Sequence, residues 1–356
     1  MGITIGALRF LAFSRKVSPI NHYKRFKVPK KTGGFRLISA PMPKLKNIQY
    51  WILENILNKI TPHDATHGFR KSCSIVSNAK RHLNTDVVIN LDLENFFPSI
   101  SYKRVKGLFR SLGYSDSVAT IFGLICTEPD IEEAELDGKT WFIPLSERHL
   151  PQGAPTSPAI TNLLCRRLDK RLEKMANKRG FKYTRYADDL TFSGSGEDLK
   201  NICNILKNTE SIVTHEGFTV HPKKTRVVRA SRQQEVTGVV VNEKLNVDKE
   251  TLKKFRATLY QIEKDGPDGK KWGHSNDIIA SIQGFANFVR MVNPEKGQAF
   301  QEQVKRIITK YNWKPEKKRF TKTSVHLEKT GEETKNIPVN ESPKPEEEKK
   351  KWWKLF

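Results

Sequence analysis

Apolar and polar residues alternate from Lys24 to Pro41 in a pattern that predicts a hairpin. Val28-Pro29-Lys30 leads into a Thr32-Gly33-Gly34 turn, and Phe35-Arg36-Leu37-Ile38 resumes the alternation toward Pro41. The period then changes: Leu45, Ile48, Ile52 and Ile56 recur at helical spacing and mark an amphipathic helix. Val87 to Leu93 is a short apolar run ending in acid, the mark of a buried strand. Residues 102–126 and 158–178 read as helical, and the acidic stretch from Thr127 to His149 as a loop-rich hairpin excursion. Tyr183 to Phe192 reads as a hairpin with two acids at its bend. A helix at about 197–214 follows, then a strand pair around Phe218–Val228 and Gln234–Val241. From Lys249 the pattern is wholly helical, with stripes at Leu252, Phe255, Leu259 and Ile262, at Ile279, Ile282, Phe285 and Val289, and at Phe300, Val304, Ile307 and Tyr311. This predicts a three-helix module. Beyond Trp313 the chain is Lys, Glu, Thr and Pro with almost no apolar content until Trp352-Trp353, so 314–356 is expected to be a disordered charged tail or a segment that docks a partner through its tryptophans.

Composition adds three exclusions and one pointer. With 356 residues, 37% hydrophobic content and mean hydropathy −0.58, the chain can bury a full core but has no apolar run near the roughly 20 residues that span a bilayer. Arg9 interrupts the apolar start, and no small-residue cleavage site follows, which argues against secretion and for a cytoplasmic protein. Cys73, Cys126, Cys165 and Cys203 are scattered without a C-x-x-C pair, which supports neither zinc nor a disulfide framework. The pointer is charge. Of the net +24, only +4 lies in 314–356, so the excess belongs to the globular part and implies a polyanionic partner. No strongly amphipathic basic helix stands out, which favours nucleic acid over a membrane. The alternative is a basic protein kept soluble by repulsion.

Two places carry carboxylates that stability does not ask for. Asp92 ends the Val87-Val88-Ile89-Asn90-Leu91 strand, and Asp188-Asp189 stand side by side in Tyr186-Ala187-Asp188-Asp189-Leu190. Adjacent carboxylates repel and are costly to bury unpaired, so they call for cations, and oxygen-only ligands suit magnesium. A lone Asp-Asp at a hairpin tip is also an ordinary turn. The ordered company decides between these readings. Lys30 and Arg36 flank a tight turn, and Asp92 is followed by Phe96-Phe97. Then come Pro151-Gln152-Gly153-Ala154-Pro155-Thr156-Ser157-Pro158, the Tyr-Ala-Asp-Asp bend, Gly217 and Lys223-Lys224-Thr225. From about Tyr23 to Asn242 this series resembles the sequential motifs of reverse transcriptases.

That resemblance implies an α+β right-hand polymerase fold without an RNase H domain. Residues 1–86 would form the N-terminal part of the fingers, 87–242 the palm with a 127–150 loop insertion, and 243–313 a helical thumb. It also implies roles. Asp92, Asp188 and Asp189 would hold two Mg2+ ions for nucleotidyl transfer. Phe97 would close the sugar pocket against a 2′-hydroxyl, although on its own it reads as core packing. Lys30 and Arg36 would grip the dNTP triphosphate, with Lys31 an alternative to Lys30 if the register differs by one residue. Gln152 would sit near the incoming nucleotide. Lys224 would act as general acid toward pyrophosphate, with Lys223 an equal candidate.

Two further signatures narrow the family. Asn78-Ala79-Lys80-Arg81-His82 fits Asn-Ala-x-x-His, and Val236-Thr237-Gly238 follows the lysine motif; together they resemble retron reverse transcriptases. By itself His82 reads as a helix cap or a packed ring. The resemblance implies that a cognate structured noncoding RNA is copied into branched msDNA from a guanosine 2′-hydroxyl. It further implies a role in anti-phage defence, a separate effector protein, and a cellular RNase H that trims the template. Lys253, Lys254 and Arg256 would ride the duplex phosphates or simply form a solvated face. The rival readings are a group II intron-like or other defence-associated reverse transcriptase, and a non-catalytic RNA-binding scaffold.

Overall fold

In the computed structural model, which describes residues 2–13, 17–30, 33–273, 275 and 277–314, Thr4 caps a short first helix, α1 (Ile5–Ala12), that lays Leu11 and Ala12 into the core. The first hairpin forms as expected from β1 (Tyr23–Pro29) and β2 (Phe35–Pro41). Its outer half stands off the body: Phe26, Val28, Phe35 and Leu37 are all exposed, whereas Tyr23 and Ser39 near its base are buried. α2 (Pro43–Asn55) begins on a proline that needs no intrahelical donor and buries Leu45, Ile48 and Ile52. A reciprocal Ser74–Ser77 capping box starts α3 (Ile75–Lys80), and β3 (Val87–Asp92) follows.

Residues 102–126 form two helices rather than one. α4 (Tyr102–Ser111) stops before Gly113, whose φ of 91° turns the chain, and Ser115 then caps α5 (Asp116–Cys126). The acidic excursion is a hairpin of β4 (Ile131–Leu136) and β5 (Lys139–Pro144), turning on Asp137-Gly138 with positive φ at both residues. Residues 158–178 likewise divide, at Cys165, into α6 (Ser157–Leu164) and α7 (Arg166–Asn177). β6 (Lys182–Tyr186) and β7 (Asp189–Gly194) make the expected acid-tipped hairpin, and α8 (Ile202–His215) follows a 3-10 turn.

One expected strand pairing does not form. The segments around 218–228 and 234–241 are not partners. β8 (Arg226–Arg229) pairs instead with β3, and β9 (Glu235–Val236) closes its own hairpin with β10 (Val239–Val240). The reason is burial: Val87, Val88 and Ile89 are fully enclosed, so β3 needs a ladder partner on both sides, and the basic β8 supplies a charged outer edge. The helical module is as read, with α9 (Lys249–Asp265), α10 (Ile278–Val292) and α11 (Pro294–Lys310).

The chain is thus α+β, built around an antiparallel sheet ordered β6-β7-β3-β8. Alternation along β3 divides the interior. Val87, Ile89 and Leu91 face a core made with α2, α4, α5 and α7, while Val88 joins Ala79, Val236 and the last three helices in a second core. Trapped between two cores, β3 is held firmly, and its C-terminal residue is Asp92. No helix among the described residues is long and apolar enough to cross a membrane. The expected tail lies outside the described residues from 315 onward.

Candidate active site

The ladder brings the acids together. β3 and β7 run antiparallel with Asp92 opposite Asp189, and the β6–β7 turn places Asp188 next to that pair. The Asp188 carbonyl accepts a 3.0 Å bond from the Leu93 amide, so the turn is stitched to the end of β3. Both carboxyls of the turn are hard to ionise. Burial first, then the Asp188 and Asp92 charges, push Asp189 up to about 7, although the residue as a whole keeps contact with solvent. Asp188 is raised as well, by burial and by Asp92, with Arg36 and Lys224 pulling the other way. As they stand, no group of three His, Cys, Asp or Glu side chains among the described residues is drawn into a closed cage for an ion. The donor set does fit a hard divalent cation: the three acids supply only oxygens, and their mutual repulsion is what a cation would relieve.

Lys224 reaches this cluster and Lys223 does not. Lys224 Nζ donates to Asp92 Oδ2 at 2.9 Å, whereas Lys223 makes no ion pair among the described residues. The route is built by backbone. Phe218 packs against Phe96, Glu94 N donates to Thr219 O, and His221 N donates to Asp92 O at 2.7 Å, so residues 218–224 run beside the end of β3.

Arg36 is exposed on β2, and its charge opposes the rise of the Asp188 carboxyl. Lys30 is exposed at the hairpin tip and its carbonyl accepts from Gly33 N; Lys31 lies outside the described residues. Gln152, half-buried, is tied to the same hairpin: its carbonyl accepts from Ser39 N at 2.8 Å. Gly153 has φ 128°, and a Cβ there would lie 2.8 Å from Ser39 O, so only glycine allows this close approach. Phe97 is half-buried and tilted against Phe96, five residues past Asp92.

The two family signatures meet each other rather than the acids. Asn78 and His82 are fully buried, as is Val236. His82 bridges the acid hairpin from below, Nδ1 at 2.8 Å from Ser193 Oγ and Nε2 at 2.7 Å from Thr184 Oγ1. A neutral ring satisfies both hydroxyls in either tautomer, because a hydroxyl donates or accepts. Thr237 and Gly238 form the tight β9–β10 turn with φ 50° and 78°, and Thr237 Oγ1 donates to Ile75 O at the start of α3. The two variable positions of the first signature, Lys80 and Arg81, and this turn keep solvent contact, whereas Asn78, Ala79, His82 and Val236 do not.

Sequence reasoning missed several residues that surround the site. Arg185, fully buried, forks onto Asp169 with two bonds of 2.8 Å. Its signal was a cation at an inward position of a strand otherwise built for burial. Phe69, exposed with φ 54°, lies beside Tyr186 at 6.4 Å between ring centres. Phe69 helps line a cavity of about 730 Å³ with Leu53, Ile60, Lys59, Arg70 and Lys71.

A family model described as "Reverse transcriptase (RNA-dependent DNA polymerase)" matches residues 28–241. The chain is 39% identical to the retron Mx162 reverse transcriptase of Myxococcus xanthus, over 85% of this chain and 64% of that protein, so it spans less than two thirds of that relative's length. It is 38% identical to the retron Mx65 reverse transcriptase of the same organism, over 84% of this chain and 68% of the relative. With the retron Ec86 reverse transcriptase of Escherichia coli the identity is 32%, over 88% of each chain.

Proposed function

The chain belongs to the reverse transcriptase family, within it to the retron enzymes, and on that premise we propose that it is an RNA-directed DNA polymerase acting on a dedicated structured RNA. The observation that carries the chemistry is the register of β3 against β7, which sets Asp92 and Asp189 side by side with Asp188 at their shoulder. These three carboxylates would hold two Mg2+ ions, which when bound supply an activated 3′- or 2′-hydroxyl and a stabilised leaving group.

The rest is done by the chain's own side chains. Arg36 and Lys30 neutralise the triphosphate from the exposed hairpin, Arg36 from a position where its charge already reaches Asp188. Gly153 and Gln152 let the nucleotide approach the backbone. Phe97 stands where a ring excludes a 2′-hydroxyl. Lys224 holds a proton beside Asp92 and delivers it to the departing pyrophosphate oxygen. The aromatic and basic lining of the Phe69 cavity suits a single-stranded template.

In this reading 1–86 is the fingers, 87–242 the palm with the 127–150 insertion, and 243–313 the thumb, whose exposed Lys253, Lys254 and Arg256 track duplex phosphates. The partners are a cognate noncoding RNA, primed at a guanosine 2′-hydroxyl to give branched msDNA, and dNTPs. A separate effector and a cellular RNase H complete an anti-phage system. The test is labelled dNTP incorporation on the co-purifying RNA with Mg2+. Asp188→Asn with Asp189→Asn is expected to abolish incorporation and leave RNA binding intact; undiminished incorporation refutes the metal assignment. Absence of a structured RNA gene beside the coding region refutes the dedicated template.

A further inference from the structure

Ala187, between Tyr186 and Asp188, has φ 57°. Glycine adopts that left-handed conformation freely, but an alanine stays in it only where its surroundings hold it. The surroundings are unusually complete. The Ala187 carbonyl accepts a 3.1 Å bond from Arg185 Nη1, and the same nitrogen donates to Asn162 Oδ1 at 3.1 Å. The remaining Arg185 donors go to both Asp169 oxygens and to Thr66 Oγ1, so each of its N–H groups has an acceptor inside the protein. Asn162 in turn donates from Nδ2 to Gly68 O at 2.9 Å. Gly68 lies flat against the turn: a Cβ there would sit 2.6 Å from Ala187 N and 3.1 Å from the Tyr186 carbonyl carbon.

An ion pair serving only to neutralise Arg185 would end at Asp169. Here the fork onto Asp169 orients the guanidinium, and its third nitrogen reaches the turn. Asn162 then fixes the opposite wall by holding the Gly68 carbonyl. On the far side Leu93 N holds the Asp188 carbonyl. The peptide that carries Asp188 is therefore gripped from three directions, none of which uses the carboxylates themselves.

We propose that Arg185, Asn162 and Gly68 form a clamp that presets the Ala187-Asp188 turn, making them positioning residues for the Asp188 carboxylate. The proposal deepens the polymerase reading, and rests on it for the identity of the reaction only. A group that ligates a metal must be held to a fraction of an ångström, and loss of such support typically costs about 10- to 100-fold in metal affinity or activity.

The test is Mn2+ binding followed by electron paramagnetic resonance, alongside single-turnover dNTP incorporation, RNA affinity and thermal unfolding, on the full chain. Gly68→Ala forces a backbone-to-backbone clash and is expected to weaken Mn2+ binding about tenfold and slow incorporation at least as much. RNA affinity and the KM for dNTP should stay within about twofold. Asn162→Ala and Arg185→Lys, which keep the charge balance against Asp169 but cut the arms to Gly68 and Ala187, are expected to shift Mn2+ affinity in the same direction. If Gly68→Ala does not fold, these two variants decide. Unchanged Mn2+ affinity in the folded variants overturns the clamp. So does a loss of Mn2+ binding that only follows a parallel loss of folding and RNA binding, because that marks plain structural support. A wild-type chain that binds Mn2+ at the turn yet incorporates no dNTP sinks the polymerase reading and leaves the clamp standing.

Discussion

Lys224 Nζ lies 2.9 Å from Asp92 Oδ2, so the lysine motif and the first acidic strand, separated by more than a hundred residues of chain, end at one point. The lysine is only partly shielded and sits on a flexible stem, which leaves it free to exchange Asp92 for a phosphate oxygen. Lys223 faces solvent one residue away without an ion pair among the described residues. This geometry separates two lysines that their sequence context does not.

Lys224→Ala is therefore expected to slow single-turnover incorporation by about 10²- to 10⁴-fold, the usual weight of general acid–base catalysis. Lys223→Ala is expected to change it little. The two rates, measured on the same RNA, check the assignment; a larger loss in Lys223→Ala reverses it.

Phe97 packs on Phe96 at 5.7 Å between ring centres and is half-buried, so one edge is left for a substrate. Phe97→Ala should raise the ratio of ribonucleotide to deoxynucleotide incorporation about tenfold or more, since pocket shape alone discriminates on that scale. Competition between rNTP and dNTP in one reaction measures it. An unchanged ratio removes Phe97 as the sugar gate.

Phe69 offers an exposed ring beside Tyr186, with Arg70 and Lys71 next to it. Phe69→Ala should weaken single-stranded RNA binding by about 1–3 kcal/mol, the range for one stacked base, and Phe69→Trp should restore it. Fluorescence anisotropy with an unpaired oligoribonucleotide reads both. Equal affinities for all three proteins exclude a stacking role.

Burial holds the His82 ring far below its ordinary range, down to about 3, and lowers His67 to about 4. The unfolded chain takes up these protons as pH falls through about 6.5, and the native state does not. Stability is then fully present above 6.5 and is lost as pH drops toward the folded values, by up to about 1.4 kcal/mol per unit for each ring. His82→Gln should lower stability at pH 7, because the Thr184–Ser193 bridge is impaired. It should also flatten the decline between pH 6.5 and 4.5, leaving the His67 part. Urea unfolding at several pH values checks this; an unchanged slope places the acid sensitivity elsewhere.

Local order was legible wherever one short window contains its own physical cause. The hairpin at 24–41, the β3 run, the acid-tipped β6–β7 turn and the three stripes of the last helices were all readable, because burial period and turn chemistry act over a few residues. Gly113 and Cys165 break two stretches that the apolar period alone reads as continuous helix. The pairing of β8 with β3 instead of β9 was beyond a window of that size, since it answers the need of a strand buried on both sides.

The amino-acid sequence by itself determined the kind of chemistry: Asp92, the adjacent Asp188 and Asp189, and the ordered cations and glycines around them. Only the tertiary structure decided which lysine reaches Asp92, that His82 braces a hairpin from inside, and that Arg185, Asn162 and Gly68 grip the turn. The physical reason is that residue type sets what a group can do, whereas distance and burial set what it does. Arg185 meets Thr66, Asn162 and Asp169 only after separate stretches of chain have packed, and no local pattern encodes that meeting.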